Sequence, residues 1–329
     1  MFFIYFITAI CATTLGSLAG LGGGVIIKPV LDALGDYNLS TVGVLSSVTV
    51  FSMALVATIK QFKSGFKADF NTIILAIGSI LGGGIGKKSF DIFLSLFKNE
   101  NFGKGIQALI LIALLSLVLL KDYLPKYKIK NIFIIFLVGL FLGGIASFLG
   151  IGGGPINVAI LVMLFAFPTR NAAISSVFII LLSQFSKLFL ISIGTGFSIY
   201  NLDMLPLMVI GGILGGLIGA KLNHRLSNEY IEKIFNISII LIILLNIFNV
   251  YKAFNWYFIK KIEFLISIFI YIFFLFFLPI SKEFRIHLHL FFEEYSMVYF
   301  YNFFVLFLLD KPLPQYHFQT LYNHLYIYL

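Results

Sequence analysis

The tripeptide Gly22-Gly23-Gly24 recurs as Gly152-Gly153-Gly154, each time inside a long apolar stretch. Three glycines in succession cost a helix about 3 kcal/mol relative to alanine. At lipid depth the N–H and C=O groups they expose are tolerated only against protein or a water-filled cavity. The sequence accepts that cost twice, at equivalent places. After each break a helix is expected to restart, over Val25 to Leu34 in one copy and Pro155 to Phe167 in the other. Pro155 suits a first helical turn, where its missing N–H would have no partner anyway. Such restarts aim free N–H groups and the positive end of the helix dipole into the protein interior, which is the chemistry of anion binding. A pair of interrupted helices in matching positions is also the usual pointer to a transport site.

Other groups able to reach an anion are few. Ser46, Ser47, Ser175 and Ser176 form two pairs that offer hydroxyl donors without fixed charge, although a serine in a membrane helix also bonds its own backbone or packs a neighbour. Thr49, Ser52, Ser183 and Gln184 lie one or two turns further along and are secondary candidates. Lys28, four residues past the first triplet, can attract an anion or snorkel to an interface. Snorkelling is the simpler reading because the second copy has Val158 there, and Lys187 receives the same reading. All fourteen Asp and Glu residues fall at span ends, in loops or in the tail, so no carboxylate relay of the kind that couples cations or protons is expected.

Catalysis is not expected. No histidine precedes His224, which leaves the helical body without a Ser-His dyad or a histidine metal or haem site. No pair of aspartates lies within the spans. The run Gly82 to Ser89 resembles a phosphate loop, yet a Walker motif ending at Gly86-Lys87 needs glycine at Leu81 and Ser or Thr at Lys88. The chain reads as a non-enzyme with no cofactor, no metal and no catalytic residue.

Those residues need helices to hold them, and the composition supplies helices in lipid. With 60% hydrophobic and 11% charged residues and a mean hydropathy of +1.03, the chain is unlike a soluble domain, about a quarter of which is charged. The net charge of +9 sits in short loops between apolar runs, where it anchors headgroups and sets topology, so nucleic acid is not an expected partner. The single Cys11 permits no internal disulfide. Met1 to Ile10 has no basic residue ahead of its apolar run, which argues against a cleaved signal peptide.

Eight spans are expected in two sets of four. The first set is Phe2 to about Leu31 with its interruption, Thr41 to Ile59, Phe70 to Gly86 and Gly105 to Leu120. The second is Ile132 to Phe167, again interrupted, then Ala172 to Ile193, Met204 to Ala220 and Ile234 to Phe248. The chain thus reads as an all-α polytopic membrane protein: a repeat over 1–130, a second over 131–250, and an aromatic-rich extension over 251–329. The repeat recurs at three places. The glycine triplets are 130 residues apart, the serine pairs 129, and Gly78, Gly82 and Gly86 match Gly211, Gly215 and Gly219 at 133. Glycines at i, i+4 and i+8 form a flat stripe for close helix packing, which is the role expected of those six. Four crossings per half make the halves parallel, and an odd number makes them inverted, so the sequence leaves their relation and the orientation in the membrane open.

These motifs resemble one family. Gly16-Ser17-Leu18-Ala19-Gly20-Leu21-Gly22-Gly23-Gly24 followed by Lys28-Pro29, its second copy Gly144 to Pro155, the trailing serine pairs, and the glycine-rich segments Gly82 to Lys88 and Gly215 to Lys221 are similar to the sulfite exporter TauE/SafE permeases over roughly residues 1–250. The resemblance implies export of sulfur-containing anions such as sulfite or organosulfonates across the plasma (inner) membrane. It implies substrate binding by Gly22, Gly23, Gly24, Gly152, Gly153, Gly154, Ser46, Ser47, Ser175, Ser176 and Lys28. The expected partners are a small anion and the lipid bilayer, with assembly as a homodimer left open. Two alternatives stand: a permease for a carboxylate or inorganic anion, and a non-transporting membrane scaffold or assembly factor that uses the tail to bind partners.

Overall fold

The structure, a computed structural model, describes residues 2–96, 100–121 and 127–254. Their regular structure is entirely helical: α1 (Phe2–Ala19), α2 (Gly24–Leu34), α3 (Leu39–Lys63), α4 (Phe70–Leu96), α5 (Glu100–Leu119), α6 (Ile132–Leu149), α7 (Gly154–Phe165), α8 (Thr169–Ile193), α9 (Leu205–Arg225) and α10 (Asn228–Ala253). Seven of these are long and apolar enough to cross a membrane. The chain is a polytopic membrane protein. The extension over 255–329 lies outside the described residues, and with it the partner-binding role that the scaffold alternative gives the tail.

Six of the eight expected spans are single long helices, and the two glycine-interrupted ones are helical hairpins. The first doubles back on itself. The Tyr5 hydroxyl near the start of α1 donates to Asp36 Oδ2 just beyond α2, at 2.5 Å, and the Tyr5 ring meets Tyr37 edge-on at 5.9 Å. The beginning of α1 and the end of α2 therefore share one end of the molecule. The second hairpin is closed at its open end by the linker before α6. The amides of Tyr127 and Ile129 donate to the carbonyls of Met163 and Leu164 in α7, at 2.6 and 3.0 Å.

The reversals follow from local chemistry. Gly20, Gly22 and Gly23 have φ of 75°, 80° and 65°, and Gly150, Gly152 and Gly153 have 67°, 81° and 73°. This left-handed region is costly for any residue with a Cβ. A side-chain amide covers a carbonyl left exposed where each first arm ends. Asn223 Nδ2 donates to Leu18 O at 2.6 Å, and Gln107 Nε2 donates to Phe148 O at 3.0 Å. The second arms close differently. Gly35 takes φ of 81° after α2 and returns its amide to Leu31 O, and Lys252 Nζ donates to Ala33 O at 2.8 Å, a cation where the helix dipole favours one.

The glycine stripes do the packing expected of them. A Cβ on Gly211, Gly215 or Gly219 of α9 would collide in turn with Ala9, Thr13 and Ser17 of α1, and one on Gly78, Gly82 or Gly86 of α4 with Phe136, Leu140 and Gly144 of α6. Backbone meets backbone along both seams, as dispersion-driven packing in lipid requires. The residue numbers rise together, so α9 runs parallel to α1 and α4 to α6. The last helices of the two halves run antiparallel. Lys121 beyond the end of α5 pairs with Glu232 at the start of α10 at 3.2 Å, while Lys104 at the start of α5 and Lys252 at the end of α10 both bond carbonyls at the α2–α3 connection, Tyr37 O and Ala33 O.

Candidate functional site

The two hairpin tips meet inside the protein. All residues from Gly20 to Val25 and from Gly150 to Ala159 are buried. A Cβ on Gly24 would lie 2.5 Å from Ile151 O, and one on Gly154 would overlap the Leu21 carbonyl outright. A Cβ on Gly22 would lie 3.7 Å from the Gly154 amide. Gly22, Gly24, Gly152 and Gly154 thus form one contact, in which the start of α2 and the start of α7 lie against the opposite turn, while Gly23 and Gly153 face the first arms of their own hairpins, at Thr13 and Ala146.

Some main-chain donors at that contact are used and others are free. Gly22 N–H reaches Gly16 O at 3.3 Å, Gly24 N–H reaches Gly22 O at 2.6 Å, and Ile151 N–H reaches Ala146 O at 3.2 Å. Among the described residues no acceptor meets the amides of Gly23, Val25, Gly152, Gly153 or Gly154. Buried unpaired N–H groups are rare in proteins. Here they cluster at two helix starts, where the dipoles add to their pull on negative charge.

The serine pairs are both present at this contact, but they do not act alike. Ser176 Oγ, on α8, donates to Gly20 O at 2.7 Å and lies 3.3 Å from Gly154 O, so it braces both tips. Ser175 Oγ accepts from Thr72 Oγ1 at 3.3 Å. Ser47 Oγ donates to Gly43 O at 2.6 Å and accepts from Lys187 Nζ at 2.8 Å. Ser46 Oγ is fully buried with no partner, and lies 3.0 Å from the position a Gly24 Cβ would take. Of the four predicted hydroxyls it alone has no hydrogen-bond partner.

Neither lysine snorkels, contrary to the simpler sequence reading. Lys28 is 5% and Lys187 4% exposed, because both helices are surrounded by protein. Lys28 Nζ pairs with Asp32 Oδ2 at 2.7 Å, with both side chains buried. Sequence reasoning passed over Asp32 as a residue of a span end, although an i, i+4 Lys–Asp spacing on a restarted helix signals the pair. It also missed Asn223 and Gln107, whose caps depend on partners 205 and 41 residues away. Among the described residues no group of three or more His, Cys, Asp or Glu is placed to hold a metal.

The site is a buried meeting of two helix starts, lined by amides and a hydroxyl and without a carboxylate at the tips. Residues 5–245 match the protein family described as Sulfite exporter TauE/SafE. The chain belongs to that family. As a TauE/SafE protein it is 30% identical over 269 residues to the "Probable membrane transporter protein YunE" of Bacillus subtilis, covering 73% of this chain and 95% of the relative. It is 27% identical over 198 residues to a "Probable membrane transporter protein" of Haemophilus influenzae, covering 57% and 70%. A third relative, from Methanocaldococcus jannaschii and similarly described, is 26% identical over 248 residues, covering 66% and 85%. No solved structure matches the chain. Family and relatives make it a membrane transport protein and not an enzyme.

Proposed function

We propose that the protein carries sulfite or a small organosulfonate across the plasma membrane, outward, and holds it where the two hairpin tips touch. The observation that supports this reading is the cluster of unpaired amides at Gly23, Val25, Gly152, Gly153 and Gly154, set between two facing helix starts. A sulfite or sulfonate group has three oxygens and needs several donors to replace its hydration. Backbone N–H groups and the Ser46 hydroxyl provide them. Each second arm, of 11 or 12 residues, is about 17 Å long, roughly half of a ~30 Å hydrocarbon core. Hairpins entering from opposite faces therefore meet near the midplane.

The halves are an inverted repeat in this reading. Each hairpin returns to its own side, which leaves three full crossings per half and reverses the second half relative to the first. The same solution, broken helices at a pseudo-symmetric midplane site, recurs in transporters whose halves rock about the guest.

Flux from liposomes containing the full chain tests the proposal. Wild type is expected to pass sulfite, and Gly153→Val, whose Cβ would press on Ala146 at a φ of 73°, is expected to abolish flux per folded protein while lowering the thermal transition. Normal flux in that variant removes the site from the tips. Flux of a carboxylate or inorganic anion in place of any sulfur oxyanion reassigns the substrate, and passage of no anion at all favours the scaffold reading.

A further inference from the structure

Lys187 is a buried amine that the fold leaves without a carboxylate at contact distance. Its Nζ donates to Ser47 Oγ at 2.8 Å and lies 3.4 Å from Gly43 O. Both are uncharged. The other cations near it have their own carboxylates: Lys28 pairs with Asp32 at 2.7 Å, and Lys87 pairs with Asp91 on the exposed side of α4. A buried ion without a counter-ion at contact distance bears a large desolvation penalty, which a protein offsets when a guest supplies the opposite charge.

Two glycines beside the amine leave space for an added atom each. A Cβ on Gly43 would have a single atom within 4 Å, Lys187 Nζ itself, at 3.9 Å. A Cβ on Gly150, at the second hairpin tip, would meet Gly43 Cα, Lys187 Nζ and Lys28 Cδ at 3.5, 3.7 and 3.8 Å, all ordinary contacts. The seam glycines behave otherwise, since a Cβ there runs into backbone. Gln184, one turn before Lys187 on α8, is fully buried with both amide atoms unpartnered, and Ser46 is likewise unpartnered beside Ser47.

We propose that Lys187 is the basic group of the substrate site, its ammonium donating to one oxygen of a small oxyanion beside Gly43 and Gly150 while Gln184 and Ser46 serve the other oxygens. This rests on the anion reading above and deepens it. The charge comes from α8 rather than from Lys28, whose charge is already balanced by Asp32. Lys187 has no counterpart cation in the first repeat, because the position 129 residues earlier is Thr58. The two halves therefore share the amides but not the charge, and selectivity for an anion resides in the second half.

The test is sulfite binding to the purified full chain by calorimetry, with unfolding temperature measured in parallel. Lys187→Met is expected to weaken sulfite binding at least tenfold, Lys187→Arg to recover most of it, and the exposed Lys233→Met to match wild type. Gly43→Ala separates a site from a structural role. The added methyl meets nothing but Nζ and improves a helix interior, so the fold is kept or strengthened while the anion gap shrinks. Gly43→Ala is expected to weaken sulfite binding about tenfold without a fall in unfolding temperature, and it remains informative should Lys187→Met fail to fold. Wild-type affinity in Gly43→Ala, or in a folded Lys187→Met, overturns the assignment of Lys187 and leaves the transport reading standing. If wild type binds acetate or phosphate in place of sulfite, and Lys187→Met and Gly43→Ala lose it, the assignment stands and the sulfur substrate falls. Binding of no anion by wild type overturns both.

Discussion

The Ser176 hydroxyl of α8 donates to the carbonyl of Gly20 at 2.7 Å, across 156 residues of sequence, and so ties the second half of the chain to the break in the first. Ser47, which stands 129 residues before it in the repeat the sequence leads one to expect, donates its proton to Gly43 O in its own helix. Identical residue types at repeated positions thus do different work.

Ser176→Ala strands the Gly20 carbonyl in a buried place, so it is expected to cost about 1–3 kcal/mol. Thermal unfolding in detergent measures it as a lowered transition. Ser46→Ala removes a hydroxyl that has no partner, so its transition is expected to stay level or rise. Equal losses in the two variants contradict the distinction drawn between brace and binding group.

Gly154→Ala is expected to stop transport, because the new methyl would overlap the Leu21 carbonyl at the tip contact. Gly65→Ala is the contrasting variant. It sits in a loop with open space around its Cβ position but with φ of 91°, so it is expected to cost about 1 kcal/mol of stability through strain alone and to keep its flux. Liposome flux normalised to folded protein separates the two.

Breaking the Lys28–Asp32 pair one partner at a time leaves a buried charge, so Lys28→Met is expected to lose about 3–5 kcal/mol. The double variant Lys28→Met with Asp32→Leu is expected to regain most of that loss. A double-mutant cycle on unfolding free energies gives the coupling. Recovered stability with retained sulfite binding is the expected result, because Lys187 and not Lys28 is the proposed anchor.

Along the seam between α4 and α6, Gly82→Ala is expected to be poorly tolerated, since its Cβ would run into Leu140 O. Gly84→Ala meets only the flexible end of Leu190, at 3.1 Å, with Ser186 Oγ at 4.0 Å. It is expected to fold as well as wild type or better. The yield of monodisperse protein after purification distinguishes them.

Orientation follows from the ends at which the described cations gather. Lys60, Lys63, Lys67, Lys128, Lys130, Arg170, Lys221 and Arg225 lie at the end where α3 and α9 finish, whereas Lys87, Lys88, Lys104 and Lys252 lie toward the Tyr37 end with Asp36, Asp91 and Asp203. The basic end is expected to face the cytoplasm. The chain's only cysteine, Cys11, is easily replaced by serine. In that background, a membrane-impermeant maleimide is expected to label Asn201→Cys on whole cells and Lys67→Cys only after the membrane is opened. The reverse pattern inverts the assignment.

Much of this was legible in the chain. Runs of apolar residues gave the helices, because in lipid every backbone group must be paired within the segment. The glycine triplets gave the breaks, since consecutive residues without a Cβ adopt positive φ at little cost. The i, i+4, i+8 stripes gave the seams, although not their pairing: α4 packs on α6 and α9 on α1, each across the boundary between the repeats. Counting each broken span as one crossing places Lys60 and Lys63 opposite Lys221 and Arg225, and the basic residues then divide evenly between the two ends. A hairpin contributes none, which moves Lys221 and Arg225 to the end that already holds Lys60 and Lys63.

The sequence by itself determined where helices form and where they must stop, because those properties depend on neighbours a few residues away. Only the tertiary structure decided that α2 turns back toward Tyr5, that the two tips touch, and that Lys187 lies buried beside Ser47 instead of reaching the interface. Each of these depends on contacts between residues 31 to 140 positions apart. The direction of a chain after a glycine break, and the surroundings of a long side chain, are fixed by what packs against them, and spacing along the chain does not encode that.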